Sequence, residues 1–541
     1  MKKVLLLFIM LSSVLVLCAD VRLQKHGSAT QLIVNGKPML ILGGELSNSA
    51  VTSVADIDSA LPHMYALGLN TVFIPVYWDL MEPEEGEFDF SLVDESIKVA
   101  RENHLKLILL WFGVWKNSMS CCAPLWFKRN IKRFPRALTV SGKPMEIAST
   151  FSNHVMEADK RAFCQLLKHI ARIDARESTV IMIQVENEIG MLESARDHSS
   201  LAEKAFQQGK WRKITGDIGI ASSIEQDERF QAFYYAQYIE QLVRSGKKIL
   251  NIPMFVNAAM NSRGRKPGEY PSAGPLAHLI PIWKKAAPDI DVYAPDIYDV
   301  EFKNWVNLYK RNDNPFFTPE TRLGPYSGVR ALYAFGEVDA LGYSVFALDQ
   351  APEEATSPIK QSYALLHQLS PLLLREQGEK LSHGLLFNQK DQKRVINDKD
   401  VVITASHYYT LPWDSRATDG SVWPESGGLI IKLGQYDYLI AGNGIVVTFQ
   451  TLSEKKQEEE VKLGEDGFLD AGRSVKGLSS LHLKTFYGKR LGIGFVDQVG
   501  LDQQGTIKFI RRDSGDQDHQ GRHARISCDE FKILHVKLYK Y

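Results

Sequence analysis

Val180-Ile181-Met182-Ile183-Gln184-Val185 is an apolar run that stops at Glu186-Asn187-Glu188-Ile189-Gly190. A short run without polar alternation reads as a strand buried on both faces, as in parallel sheets. A polar stop at its C-terminal end is where an α/β barrel gathers its chemistry. An extended strand projects Glu186 and Glu188 to the same side, so spacing leaves the choice between them open.

The same pattern recurs outward from this stretch. Short apolar runs alternate with longer helical patterns from about residue 38 to 370, in eight pairs, which predicts a (β/α)8 TIM barrel. The predicted strands begin at Met39 to Gly43, Thr71 to Pro75, Lys106 to Trp111 and Val180 to Val185. Met254 to Asn257, Val292 to Pro295, Phe316 to Thr318 and Tyr343 to Leu348 complete the set, with helices such as Phe230 to Val243 and Leu276 to Ala286 between them. Ser91 with Asp94 three residues on resembles a capping-box start. Phe163, Leu166, Leu167, Ile170 and Ile173 form one apolar helical stripe, with Cys164 beside it as a core thiol. Leu192 to Gln231 reads as a polar, irregular connection of the length that shapes pockets.

After about residue 375 the helical period fades. Val401 to Ala405, Gly428 to Leu433, Tyr438 to Ala441 and Gly444 to Gln450 predict a β-sandwich, with Glu454 to Lys462 as a solvated hairpin or loop. The expected division is a barrel over residues 20–370 and a β-sandwich domain over 375–541.

Bulk properties narrow the partners. At 541 residues, 44% hydrophobic, the chain is too long for one ordinary core and too apolar for disorder. Lys plus Arg and Asp plus Glu each total 64, so no net field favours nucleic acid or an anionic membrane, and a neutral partner such as a glycan fits better. Met1, Lys2 and Lys3 precede an apolar run from Val4 to Leu17, an export signal over residues 1–19 cleaved after Ala19, which implies a periplasmic or secreted protein. Leu15-Val16-Leu17-Cys18 faintly resembles a lipoprotein box, so a lipid anchor on Cys18 is the minor alternative. No later segment approaches the roughly 18 apolar residues of a spanning helix. Cys121, Cys122, Cys164 and Cys528 lack metal-site spacing and read as buried free thiols or one ordinary disulfide. His519 and His523 have helical metal-pair spacing on a Gly-rich stretch that is not helical, so they read as a structural loop. Neither metal nor cofactor is expected.

Gln184-Val185-Glu186-Asn187-Glu188-Ile189-Gly190 closely resembles the QxENEYG motif of family 35 glycoside hydrolases, the β-galactosidase family, with Ile189 in place of the usual tyrosine. The resemblance extends to Gly43-Gly44-Glu45-Leu46-Ser47, to Tyr77 through Gly86, to Trp115-Lys116-Asn117 and to Ala294-Pro295-Asp296-Ile297-Tyr298. Gly515 to His523 and Val536-Lys537-Leu538-Tyr539 resemble the subset of that family with a distinct C-terminal β-domain. What the match implies is a retaining exo-acting β-galactosidase acting on oligosaccharides or polysaccharide side chains. In it, Glu188 would be the acid/base and Asn187 would bind the sugar 2-hydroxyl.

Asn314-Pro315-Phe316-Phe317-Thr318-Pro319-Glu320-Thr321-Arg322 is a short apolar strand ending in a carboxylate, at the seventh strand. The clan places its nucleophile there, which implies Glu320, kept ionised by Arg322 and about 5–5.5 Å from the acid. Tyr77, Asn257 and Tyr298 end strands two, five and six and are expected to bind sugar hydroxyls. Trp111 and Trp115 offer faces for stacking, while Glu45 and Asp296 are strand-end carboxylates ranked as sugar-binding or supporting groups. A β-glucosidase or β-glucosaminidase would use the same two glutamates, and a non-catalytic glycan-binding protein is the alternative outside enzymes.

Overall fold

The computed structural model describes residues 20–215, 222–261, 263–411, 413–458, 490–514 and 523–541. The export segment with Cys18, and His519, lie outside these residues. Strands β1 (Ile41–Glu45), β2 (Thr71–Tyr77), β3 (Lys106–Phe112) and β4 (Val180–Val185) pair in parallel in that order. β5 (Met254–Ala259) and β6 (Val292–Ile297) continue the sheet. β7 is split around Pro319: Glu320–Thr321 pairs with β6, while Phe317–Thr318 pairs with β8 (Gly342–Phe346). β8 then pairs with β1, which closes the barrel. A proline has no N–H for a ladder, which is why β7 is interrupted where its carboxylate begins.

One principal helix follows each strand: α1 (Val54–Ala66), α2 (Ser91–Glu102), α3 (Asn153–Ile173), α4 (Ser223–Lys247), α5 (Ile280–Ala286), α6 (Phe302–Tyr309), α7 (Ser327–Val338) and α8 (Glu353–Glu376). Inside the barrel, Phe317 stacks on Phe73 at 5.9 Å and meets Phe255 edge-on at 5.0 Å. These rings fill the interior as barrel cores require. A Cβ at Gly43 on β1 would stand 2.6 Å from the Phe73 ring, so the glycine admits it.

Some local expectations are corrected. Ser91 is the first residue of α2 and caps nothing; Asp89 Oδ1 accepts the Ser91 N–H at 2.8 Å instead. Cys164 is half-buried on the flank of the α3 stripe. The described residues of the connection after β4 include helices Ser200–Gln208 and Arg212–Thr215, and a Ser222/Glu225 capping box opens α4. Phe206 and Trp211 pack on Phe230 of α4 at 5.0 and 5.8 Å, apolar anchors that a reading by overall polarity passes over. All four described cysteines are free, and Cys121 is exposed rather than buried.

Beyond α8 the chain forms two sheets. Strands β9 (Ser382–Phe387), β10 (Lys393–Asp398), β11 (Val401–His407), β12 (Ser426–Gly434), β13 (Asp437–Asn443) and β14 (Ile445–Thr451) come first. β15 (Leu491–Leu501), β16 (Ile507–Arg512), β17 (His523–Ile526) and β18 (Lys532–Lys540) follow. The orders are β9-β12-β13-β18-β15-β16 and β10-β11-β14-β17. Leu385, Ile430 and Ile440 from the first sheet meet Ile403, Val447 and Ile526 from the second in one core, which makes a sandwich. The alternate residues Leu386, Leu429, Ile431 and Leu439 turn the other way and join the barrel core. Arg330 on α7 grips Glu425 through two hydrogen bonds of 2.8 and 2.7 Å across this junction.

α8 runs on to Glu376, past residue 370. The run from Glu454 is helical over Leu452–Glu458, and Glu454 is a buried acceptor for the Thr451 and Leu491 N–H groups rather than a solvated charge. His523 opens β17 rather than lying in a loop. Among the described residues no helix is long and apolar enough to cross a membrane.

Candidate active site

The turn after β4 separates the two glutamates that an extended strand would have kept together. β4 ends at Val185, and Glu186 and Glu188 take left-handed backbone conformations with φ of 63° and 47°. Such residues cost about 1–3 kcal/mol each and persist where surrounding structure holds them. Others stand after further barrel strands: Val51 after β1, Asn117 and Ser118 after β3, and Ala347 after β8.

Glu186 turns behind the strand toward the helices. Its carboxyl oxygens accept the N–H groups of Val114 at 3.2 Å and Trp115 at 2.6 Å. A Cβ at Gly113 would stand 2.7 Å from Glu186 Oε1, so this approach needs glycine. Next to it on α3, Asp159 accepts from Trp111 Nε1 at 2.9 Å and Tyr238 OH at 2.7 Å. Burial, then the neighbouring Asp159 charge, lifts Glu186 well above the usual carboxyl range.

Glu188 turns forward into the barrel mouth. Glu188, Asp296 from the end of β6 and Glu320 from β7 each have a carboxylate oxygen within 4.8 Å of the other two. Glu320 is buried, accepts from Tyr298 OH at 2.6 Å, and faces Asn187 Nδ2 at 3.5 Å. Asn257, within β5, binds both neighbours, accepting the Glu188 N–H at 2.9 Å and donating to Asp296 at 2.8 Å. Glu188 is partly exposed in this mouth. Burial of its carboxyl, then the Glu320 charge, pushes Glu188 up to about 7. Burial and the neighbouring carboxylates hold Glu45 and Asp296 well above their usual range. Glu45 Oε2 and Asp296 Oδ1 are buried without a hydrogen-bond partner. Oxygens so placed at the mouth can accept a ligand's hydroxyl hydrogens.

Glu188, Glu320, Asn187, Asn257, Asp296, Tyr298 and Glu45 therefore lie together at the barrel mouth. Four other expectations fail. Trp111 lies on the outward phase of β3, donates to Asp159, and is covered by Phe163 of α3 at 5.9 Å, with no exposed face. Trp115 is likewise buried, edge-on to Tyr235 and Tyr238 of α4 at 5.6 and 4.9 Å, so neither indole can stack on a sugar. The Tyr77 hydroxyl is taken up by the carbonyls of Ala50 at 2.7 Å and Asn48 at 3.0 Å, and so secures the loop after β1. The Arg322 guanidinium sits 6.0 Å from the Tyr298 ring centre instead of pairing with Glu320. The cation at the site is the buried Lys116, whose Nζ donates to Asn187 Oδ1 at 3.0 Å. Its only sequence signal is its place within Trp115-Lys116-Asn117; no spacing ties it to Asn187.

Known proteins resemble parts of this chain. The glycoside hydrolase family 42 model, described as β-galactosidase, matches residues 52–215. A domain of unknown function (DUF5597) matches residues 359–525. A β-galactosidase of Xanthomonas manihotis is 31% identical over 189 residues, 32% of this chain and 27% of that protein. β-Galactosidase-1-like protein 3 of Mus musculus is 28% identical over 181 residues, 32% of this chain and 25% of that protein. The matched region thus spans about a quarter of the length of these curated relatives. Among solved structures, a β-galactosidase from the psychrophilic Marinomonas ef1 superposes with a TM-score of 0.47 at 14% identity, over 62% of this chain and 60% of that one.

Proposed function

We propose that this chain is a retaining, exo-acting β-galactosidase that removes terminal β-D-galactose by double displacement. The observation that carries the reading is the pair Glu188, just beyond β4, and Glu320, on β7, which bring one carboxylate oxygen each to within 4.8 Å, an approach that supports the closer of the two spacings that glycosidases use. Inverting glycosidases hold their carboxyl groups about 6.5–9.5 Å apart to admit water between them, whereas retaining ones sit at about 5–5.5 Å. Glu188, held up to about 7 by burial and then by Glu320, holds its proton up to about neutral pH and donates it to the leaving glycosidic oxygen. Glu320, aimed by the Tyr298 hydroxyl, attacks the anomeric carbon from the opposite face and forms a glycosyl ester. The Glu188 carboxylate then takes a proton from water as that water displaces Glu320, which restores the starting anomeric configuration. Asn187 Nδ2, beside Glu320, donates to the sugar 2-hydroxyl, and Glu45 and Asp296 accept from further hydroxyls.

Galactose as the sugar rests on the family 35 resemblance of Gln184 to Gly190 and on the β-galactosidase family 42 model that matches residues 52–215. Both are β-galactosidase families, so the proposed reaction is the same under either. The export reading of Met1 to Leu17 belongs to the same proposal and would deliver the enzyme to extracytoplasmic glycans.

A panel of aryl β-glycosides tests the sugar: galactoside cleavage is expected, and cleavage of glucosides or N-acetylglucosaminides alone replaces galactose with that sugar. Glu320→Gly with azide tests the roles, since lost turnover should return as a β-retaining enzyme's α-glycosyl azide. Full activity in Glu188→Gln or Glu320→Gly would end the mechanism. On the alkaline side, kcat/KM should fall as pH rises past about 7, where Glu188 loses the proton it must donate.

A further inference from the structure

The segment after β3 touches the Asn187–Glu188 pair at several points. Lys116 Nζ donates to Asn187 Oδ1 at 3.0 Å, and the Asn117 backbone N–H donates to the same oxygen at 3.3 Å. Two residues on, Ser118 Oγ donates to the Glu188 carbonyl at 2.7 Å. Lys116 is itself held by Asn117 Oδ1 at 2.5 Å and lies over the Phe112 ring at 4.6 Å. An asparagine amide has one accepting end and one donating end, which differ only by a flip about its last torsion. With Oδ1 occupied by Lys116 and the Asn117 amide, the end left for the pocket is Nδ2, facing Glu320 Oε1 at 3.5 Å. The flipped amide would set an oxygen against a carboxylate and leave a buried ammonium facing an amide NH2, which is unfavourable on both sides.

We infer that Lys116 is a positioning residue that locks the Asn187 amide with its N–H groups toward the sugar 2-hydroxyl and Glu320, so that it acts on the substrate only through Asn187. This deepens the β-galactosidase reading and rests on it. A donor aimed at the 2-hydroxyl matters most when charge develops at the adjacent anomeric carbon, so its loss is felt in turnover more than in ground-state binding. Lys116 has a second effect through charge. The groups facing Glu188 are Glu320 from β7, Asp296 from β6, Glu45 from β1 and Lys116. Burial and Glu320 raise Glu188, and the Lys116 ammonium works against them.

The test uses Lys116→Met with two substrates, an aryl β-galactoside and its 2-deoxy counterpart. The 2-hydroxy substrate should lose roughly 10²-fold in kcat/KM, the scale of one mispositioned transition-state donor. That loss should sit mainly in kcat, and the 2-deoxy substrate should lose far less. The alkaline limb should also move to higher pH, because the cation opposing the Glu188 shift is gone. Lys116→Gln, which keeps a donor but no charge, should recover the preference for the 2-hydroxy substrate while its limb stays displaced; it also stands in if Lys116→Met does not fold. Equal losses on both substrates with an unmoved limb would make Lys116 merely structural and overturn the inference. Failure of the wild type on every β-galactoside would instead overturn the choice of sugar, and the same pair of substrates, built on whichever sugar the aryl panel identifies, then decides the role of Lys116.

Discussion

Two groups of buried carboxyls stand on opposite sides of β4 and differ in how their oxygens are partnered. Behind the strand, both oxygens of Asp159 and both of Glu186 receive an N–H or O–H. In front, Glu45 Oε2 and Asp296 Oδ1 receive none, and Glu188 and Glu320 face each other across the mouth. Buried polar groups in folded proteins are nearly always satisfied, so a saturated cluster belongs to the fold, while an unsaturated one at a barrel mouth has acceptors free for a ligand. The contrast predicts opposite outcomes for similar substitutions on the two sides. In front, Glu320→Gln should reduce turnover by roughly 10⁴-fold or more with the melting temperature unchanged or raised.

Behind the strand, Asp159→Ala should act on stability first. It leaves the Trp111 N–H and the Tyr238 O–H buried and unpaired, at roughly 1–3 kcal/mol each. Urea unfolding should show a loss of about 2–5 kcal/mol, with activity per folded molecule largely kept. A variant that folds as firmly as the wild type yet turns over no substrate would move Asp159 into the catalytic group and dissolve the division.

A smaller effect on the front side is read by pH. Glu188 holds its proton up to about 7 in the folded protein against an ordinary value of 4.5, so the folded state binds more protons than the unfolded one between these limits. Stability then falls as pH rises through that window, because the unfolded chain releases the proton more readily. Glu188→Gln removes this titration. Its melting temperature should exceed the wild type's at pH 8 and converge with it near pH 4. A variant less stable than the wild type at pH 8 would show that the charged Glu188 is held by favourable partners instead of being forced into the mouth.

The alternation of buried strands and amphipathic helices made the barrel legible, because parallel strands covered on both faces must be apolar throughout. Strand-end positions then named most of the mouth: Glu45, Asp296, Tyr298 and Glu320 follow from where the apolar runs stop, whereas the end of β4 left Glu186 and Glu188 open and only the family 35 resemblance chose Glu188. What the sequence hid depends on single backbone turns and on contacts between distant segments. The left-handed turn after Val185 sends Glu186 backward and Glu188 forward, a separation that period-two counting cannot register. Lys116 meets Asn187 only once β3 and β4 lie side by side. Glu454 looked solvated because its neighbours in sequence are charged, whereas its partners, Thr451 and Leu491, lie at the ends of two different strands.

Trp111 shows what the strand phase could have told. Counting alternate residues back from Phe112, which meets Tyr77 edge-on at 5.6 Å, puts Trp111 on the face that α3 covers, where it contacts Phe163 and donates to Asp159. Trp111→Phe keeps a ring between β3 and α3 but deletes the indole N–H and part of the buried ring volume. The expected cost is about 1–3 kcal/mol of stability for the lost hydrogen bond and the space left behind, with KM for an aryl galactoside unchanged. A sugar stacked on this indole would predict the reverse, since a weaker aromatic platform worth about 1 kcal/mol raises KM roughly fivefold. A raised KM with stability intact would therefore bring Trp111 to the front of the strand, and an unchanged KM with a small stability loss keeps it with the saturated group behind.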